Sequence, residues 1–170
     1  MKNMIFKSLA TACLLGLSVA AWAQRDAELA DWKEEAVPPP PAFDAGKLLT
    51  FDVSQASSLA YGVDPATLRI SKDGVLSYVM VATSASGARN VMYEGIRCVT
   101  GEVKTYARYS PSGAWTPVAK PEWRSMFDNM PSKHALAFAR AGACDNAAQA
   151  SSVEEVVSKL KFNRFARFNW

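Results

Sequence analysis

One histidine and three cysteines in 170 residues are few, and both shortages exclude chemistry. A zinc site of the usual kind takes three or four His, Cys or carboxylate ligands held close together, so neither a metal nor any other cofactor is expected. A Ser-His-acid site needs a supported nucleophile, and no Gly-x-Ser-x-Gly turn occurs. His134, in the first turn of an expected helix, reads as a solvated side chain. No segment has the ~20 apolar residues that cross a bilayer. Charge imbalance is missing too. There are 19 basic against 16 acidic residues, and without Lys2 and Lys7 of the leader 17 against 16 remain. Nothing in that balance calls for nucleic acid.

The start of the chain is informative. Lys2 and Lys7 precede an apolar stretch, Leu9 to Ala20, that ends in Ala21-Trp22-Ala23. A positive start, a short apolar run and a small-x-small site make a secretory signal peptide, residues 1–23, cleaved after Ala23. The mature chain of 147 residues is one ordinary domain. Lipidation at Cys13 is the weaker alternative, because Ala10 stands where a leucine is usual and the apolar run continues beyond the cut. Cys98 and Cys144 are then an even pair in an exported chain, and a disulfide between them is expected.

Residues 24–42 read as an acidic, proline-rich linker, with Pro38 to Pro41 favouring an extended spacer. The globular part is placed at 43–170. Strands are expected at Leu48–Val53, Ala66–Ser71, Val75–Thr83, Arg89–Cys98 and Glu102–Tyr109. Asp73-Gly74 marks a tight hairpin. Val75–Thr83, apolar on both faces, is the central strand. With Thr100-Gly101 as a two-residue loop, Cys98 faces Val103 and Ile96 faces Thr105. One face then carries Met92, Glu94, Ile96, Cys98, Val103, Ala107 and Tyr109 toward the core. The other carries Val91, Tyr93, Arg97, Lys104, Tyr106 and Arg108. The ring of Tyr106 can cover the bare Gly95. Trp115 and Trp123 pin the following loop to the sheet. A helix is expected from Ser132 to about Ala141, ending at Gly142. Ser151-Ser152-Val153-Glu154 reads as a capping box for a second helix, with Val153, Val156, Val157 and Leu160 as its buried stripe. The fold class is α+β: one domain, a mostly antiparallel five-stranded meander, and two C-terminal helices on one face.

Two features stand out as sites. Glu94 points to the apolar face, where a carboxylate needs a cation or titrates high. A structural pair with Arg97, Arg89 or Arg108 is the preferred reading, and a small hydrolase-like enzyme using Glu94 is the alternative. The tail from Lys159 to Trp170 alternates cations with aromatics. It reads as an interfacial segment against anionic lipid, as a terminal barrel strand, or as a helix that lays Phe162 and Phe165 on the core. The candidate interaction surface joins Tyr93, Arg97, Lys104, Tyr106 and Arg108 with Arg164, Phe165, Arg167, Phe168 and Trp170.

Several stretches carry a resemblance: Asp31-Trp32-Lys33-Glu34-Glu35 before the prolines, Phe51-Asp52-Val53-Ser54, Tyr61-Gly62-Val63-Asp64-Pro65, and above all Asn90 to Cys98 followed by Gly101-Glu102-Val103-Lys104. The chain resembles the CNP-one-like (cryptic neisserial protein, one-like) family of exported proteins of Gram-negative bacteria. The resemblance implies a periplasmic setting, with some members lipoproteins, and no established activity, cofactor or catalytic residue. The functional expectation is a non-enzymatic module that binds an envelope component of unknown identity, with peripheral contact to an anionic membrane.

Overall fold

The structure is a computed structural model that describes residues 31–54 and 57–168, with side chains described through Phe162. The expected signal peptide, Cys13 and the first part of the linker lie outside the described residues. So do the side chains of Arg164, Phe165, Arg167 and Phe168, and all of Trp170. The chain divides into two units, residues 1–35 and 36–170. Of the first, the described residues 31–35 form no helix or strand.

The second unit is an eight-stranded antiparallel sheet with helices on one face. Its strands are β1 (Leu49–Phe51), β2 (Ala60–Val63), β3 (Arg69–Ile70), β4 (Val75–Thr83), β5 (Arg89–Arg97), β6 (Glu102–Tyr109), β7 (Trp115–Pro117) and β8 (Arg124–Ser125). The order is β1-β2-β4-β5-β6-β7, with β3 also on β4 and β8 also on β6. The α+β class and the two C-terminal helices on one face agree with the sequence reading, whereas the count of five strands does not. Short strands account for the difference. β2 hides in Tyr61-Gly62-Val63, where a Cβ on Gly62 would stand 3.0 Å from the Leu48 Cβ, so β1 and β2 meet closely only because that side chain is missing. The expected strand over Ala66–Ser71 is a 3₁₀ turn, Pro65–Thr67, and only then β3. Asp64 caps that turn by accepting from Ala66 N, and Pro65 presets its first φ. The same carboxylate accepts from Asp44 N at 2.7 Å, tying the incoming chain to the sheet.

β4 is buried along eight of its nine residues, as its two apolar faces require. Leu76, Tyr78, Met80 and Ala82 face the larger core cluster, together with Phe138, Val156 and Leu160 from the helical layer. Val79 and Val81 face a smaller cluster with Tyr93 and Ala107, covered by Val37, Phe43 and Trp115. Phe43, Tyr109 and Trp115 meet edge to face with centroids 5.1–6.0 Å apart. Trp123 closes on Tyr106, so both tryptophans hold their loop as expected.

The register of β5 on β6 differs from expectation twice. Arg97 pairs with Glu102, so residues 98–101 all belong to the turn, and Gly101 takes a φ of 67°. Further on, the register shifts between Tyr93 and Glu94. Tyr93 faces Ala107 while Glu94 faces Thr105. The extra residue on β6 is Tyr106. Such a bulge reverses the faces beyond it. Ala107 and Tyr109 therefore join the Tyr93 face, and Arg108 crosses to the Glu94 face, where its Nη1 donates to Met92 Sδ. Tyr106 lies over Gly95, its hydroxyl 2.6 Å and its ring 2.9 Å from where a Cβ would stand.

The helical layer begins with α1 (His134–Phe138), which runs into a π turn (Ala139–Ala143). Gly142 there has a φ of 137°, and a Cβ would lie 2.5 Å from the Lys159 Cβ, so the expected stop also marks a close helix contact. A small hairpin follows, β9 (Cys144–Asp145) with β10 (Ala148–Gln149), and then α2 (Val153–Phe168). The cap of α2 sits one residue later than expected. Ser152 Oγ accepts from Glu155 N, and Glu155 reaches back to Ser151 N and Oγ. Lys159 and Ser151 draw the Glu155 carboxyl down to about 2. Val156 and Leu160 are fully buried, with Val153 and Val157 partly so.

Cys98 and Cys144 are joined, with Cα atoms 5.7 Å apart across a separation of 46 residues. The bond links the end of β5 to the start of β9. The chain-entropy argument assigns a loop of this size about 4 kcal/mol. Urea unfolding of a Cys98→Ala/Cys144→Ala double variant should show a loss of about that size relative to the oxidised protein.

Candidate functional site

Glu94 is 1% exposed and does not meet an arginine. Its partner is His134. His134 Nε2 lies 2.8 Å from Glu94 Oε2, which also accepts from the Tyr78 hydroxyl at 3.1 Å. Glu94 Oε1 accepts from Thr105 Oγ1 at 3.0 Å. Three donors from β4, β6 and α1 thus converge on one carboxylate of β5. The arginines expected there are engaged elsewhere or distant. Arg97 pairs with Glu102 at 3.8 Å, Arg89 begins β5, and Arg108 bonds Met92.

His134 is 6% exposed, not solvated. Its ring stacks on Tyr61 at 6.1 Å with 4° between planes, and its Nδ1 stands 3.0 Å from Ser132 Oγ. Burial pushes Glu94 up, but the His134 charge and the bonds from His134, Thr105 and Tyr78 together outweigh it, so its pKa is lowered. Burial pushes His134 down and nearby Arg108 opposes its charge, yet Glu94 prevails and its pKa is raised. Both directions favour the imidazolium–carboxylate form of the pair. Burial, then Glu94, hold Tyr78 well above the ordinary phenol value, so it stays a donor. As imidazolium, His134 donates from both nitrogens. Ser132 Oγ accepts from Nδ1–H and from His134 N–H, leaving its own proton for Tyr61 Oη at 3.3 Å. Serine, histidine and glutamate stand in a row, but in its charged form the histidine has no lone pair to take a proton, and Glu94 is 1% exposed with both oxygens already accepting hydrogen bonds. The arrangement fastens α1 to the sheet.

Of the other expected surface, the side chains of the tail lie outside what the structure describes, and the five sheet residues do not all share one exposed face. Tyr93 is 2% exposed beneath Tyr106 and Trp115. Arg108 is on the opposite face. Lys104 lies over Tyr106 and Trp123 at 5.6 and 5.5 Å, and Arg97 lies along the same face as Lys104. Among the described residues, no group of His, Cys, Asp and Glu is arranged to hold a metal, and no helix is long and apolar enough to cross a membrane.

A groove of about 890 Å3 opens elsewhere. Its floor includes the Cys98–Cys144 bond, Met126 and Leu136. The β5–β6 turn and Phe127 form one bank. The π turn, β9 and the outer turns of α2 form the other. Phe127 lies over Gly101, where a Cβ would meet its ring at 2.7 Å. Val99, Phe127 and Phe162 are 44%, 65% and 72% exposed on its rim. Phe162 therefore does not lie on the core, unlike the expectation that α2 carries it inward. No local pattern marks the groove, because its three exposed apolar residues lie far apart in the chain.

A family model for the CNP1-like family matches residues 27–161. The chain belongs to the CNP1-like family. The match spans the whole sheet, the Glu94–His134 pair, both bridged cysteines and most of the groove. No curated protein and no solved structure matches the chain.

Stability should depend on pH from both sides. Glu94 titrates lower folded than unfolded, so its contribution holds above the ordinary 4.5 and drains as pH falls through the folded value. His134 titrates higher folded than unfolded, so its contribution is full below the ordinary 6.5 and drains as pH rises through the folded value. Thermal unfolding across pH should peak between those two values and fall away on each side. His134→Ala, which leaves a buried carboxylate unpaired, should cost about 3–5 kcal/mol in urea unfolding.

Proposed function

We propose that the CNP1-like chain is an exported, periplasmic binding module that acts without chemistry of its own, through the groove beside the disulfide. One observation carries this reading. Of the four large apolar side chains that stand exposed among the described residues, three gather on the rim of one groove. Single exposed apolar residues are ordinary, but a cluster around a concavity marks a place that another molecule covers. Export is supported by the leader pattern in residues 1–23 and by a covalent cysteine pair of the kind that persists in oxidising compartments. Its partner is an envelope component. The alternative, a small hydrolase-like enzyme using Glu94, is the weaker reading, since every donor around that carboxylate is already spent and the residue is 1% exposed.

Two measurements test the proposal. The intact mass of the exported protein should correspond to residues 24–170 with one disulfide. A product that keeps its leader, or one acylated at Cys13, would count against it. Nile red should brighten on the folded protein. Phe127→Ser/Phe162→Ser should abolish most of that signal while leaving stability within about 0.5 kcal/mol, as exposed positions allow. Unchanged dye binding in the double variant would remove the groove from the account.

A further inference from the structure

The lining of the groove narrows what enters it. Arg140 stands exposed on the π turn and has no ion pair among the described residues. The other cation there, Lys159, is held by Glu155 at 2.7 Å and by Asp145 at 3.9 Å. Arg140 is therefore the cation of the lining that has no counter-charge in contact among the described residues, beside apolar side chains. An uncharged apolar ligand would leave it so, and a cationic one would repel it.

The walls are also rich in hydrogen-bonding groups. Thr100, Asn146 and Ser158 line the groove, and among the described residues Thr100 Oγ1 is buried without a hydrogen-bond partner. A hydrocarbon chain would leave these polar side chains unmatched along its length, at the usual cost of stranded polar groups. An extended peptide carries both kinds of group, apolar side chains on one face and amides that can meet such side chains.

Resting on the groove reading, we propose that the occupant is a peptide segment of another envelope protein, with large apolar side chains next to a carboxylate. The apolar side chains fill the space between Phe127 and Phe162 over the disulfide. The carboxylate meets Arg140.

The test uses the full mature chain, oxidised, and four probes. They are a short fluorescent peptide with two phenylalanines flanked by aspartates, the same peptide with asparagines for the aspartates, vesicles of anionic phospholipid, and Nile red. The acidic peptide should saturate, should compete with Nile red, and should bind about fivefold more tightly than its neutral twin, the scale of one partly exposed ion pair. Arg140→Gln should erase that preference without changing Nile red binding. Phe127→Ser should weaken both peptides about tenfold or more. Circular dichroism confirms that each variant is folded.

Equal affinity for the two peptides, or a preference that survives Arg140→Gln, overturns the assignment. So does binding to vesicles but not to peptide, which would make the rim a membrane contact. If Nile red still binds in a Phe127-dependent way while no peptide does, the peptide assignment fails and the groove stands. If neither binds, both fail.

Discussion

A single buried ion pair joins the two layers of this protein. Glu94 sits at the middle of the sheet and His134 at the start of the helical layer, 2.8 Å apart and each almost sealed from water. A charge in that position is costly unless it is both paired and hydrogen-bonded. Here the demand for partners dictates structure. Tyr78, Thr105 and Ser132 must be where they are, and Thr105 reaches the carboxylate because it lies directly opposite Glu94 in the register that runs from the β5–β6 turn. The contact ties α1 to one place on the sheet, a role for which buried polar groups are better suited than for raw stability.

The disulfide then acts at the other end of the same layer. It ties the end of β5 to β9 just beyond the π turn, so α1 is held at its start by charge and past its end by a covalent bond. Between these anchors the molecule divides its tasks. Around Glu94 every polar atom is answered and nothing is left for a ligand. Around Cys98–Cys144 the layer gapes, apolar side chains stand in water, and a cation lacks a counter-charge among the described residues.

Much of this was legible in the residues, for reasons that can be named. Val75–Thr83 is apolar at both parities, and Asp73-Gly74 is turn chemistry, so β4 and its hairpin were plain. The cysteine pairing followed from the expectation of export and an even count outside the expected leader. Three things were hidden. β2, β7 and β8 are too short for periodicity to register, and Tyr61-Gly62-Val63 is a strand by virtue of its neighbours. The bulge at Tyr106 leaves no local mark, yet it decides which way Arg108 faces. Glu94 was recognised as a carboxylate needing a partner, but the partner is 40 residues away on an element whose rotation no pattern fixes. The stretch Asn90 to Cys98, on which the family resemblance rested most, contains both Glu94 and Cys98, the residues by which the sheet grips the helical layer.

Because the chain has one histidine, its titration can be read without ambiguity. Nitrogen-15 chemical shifts of the imidazole, followed from acid to alkaline pH in the folded protein, report its charge and its tautomer directly. A buried imidazolium bound to Glu94 should keep both ring nitrogens protonated through neutrality and titrate above the ordinary 6.5. Titration at or below 6.5, or a neutral ring at pH 7 with a bare Nδ1 facing Ser132, would contradict the account and reopen that row of side chains as a site of proton transfer.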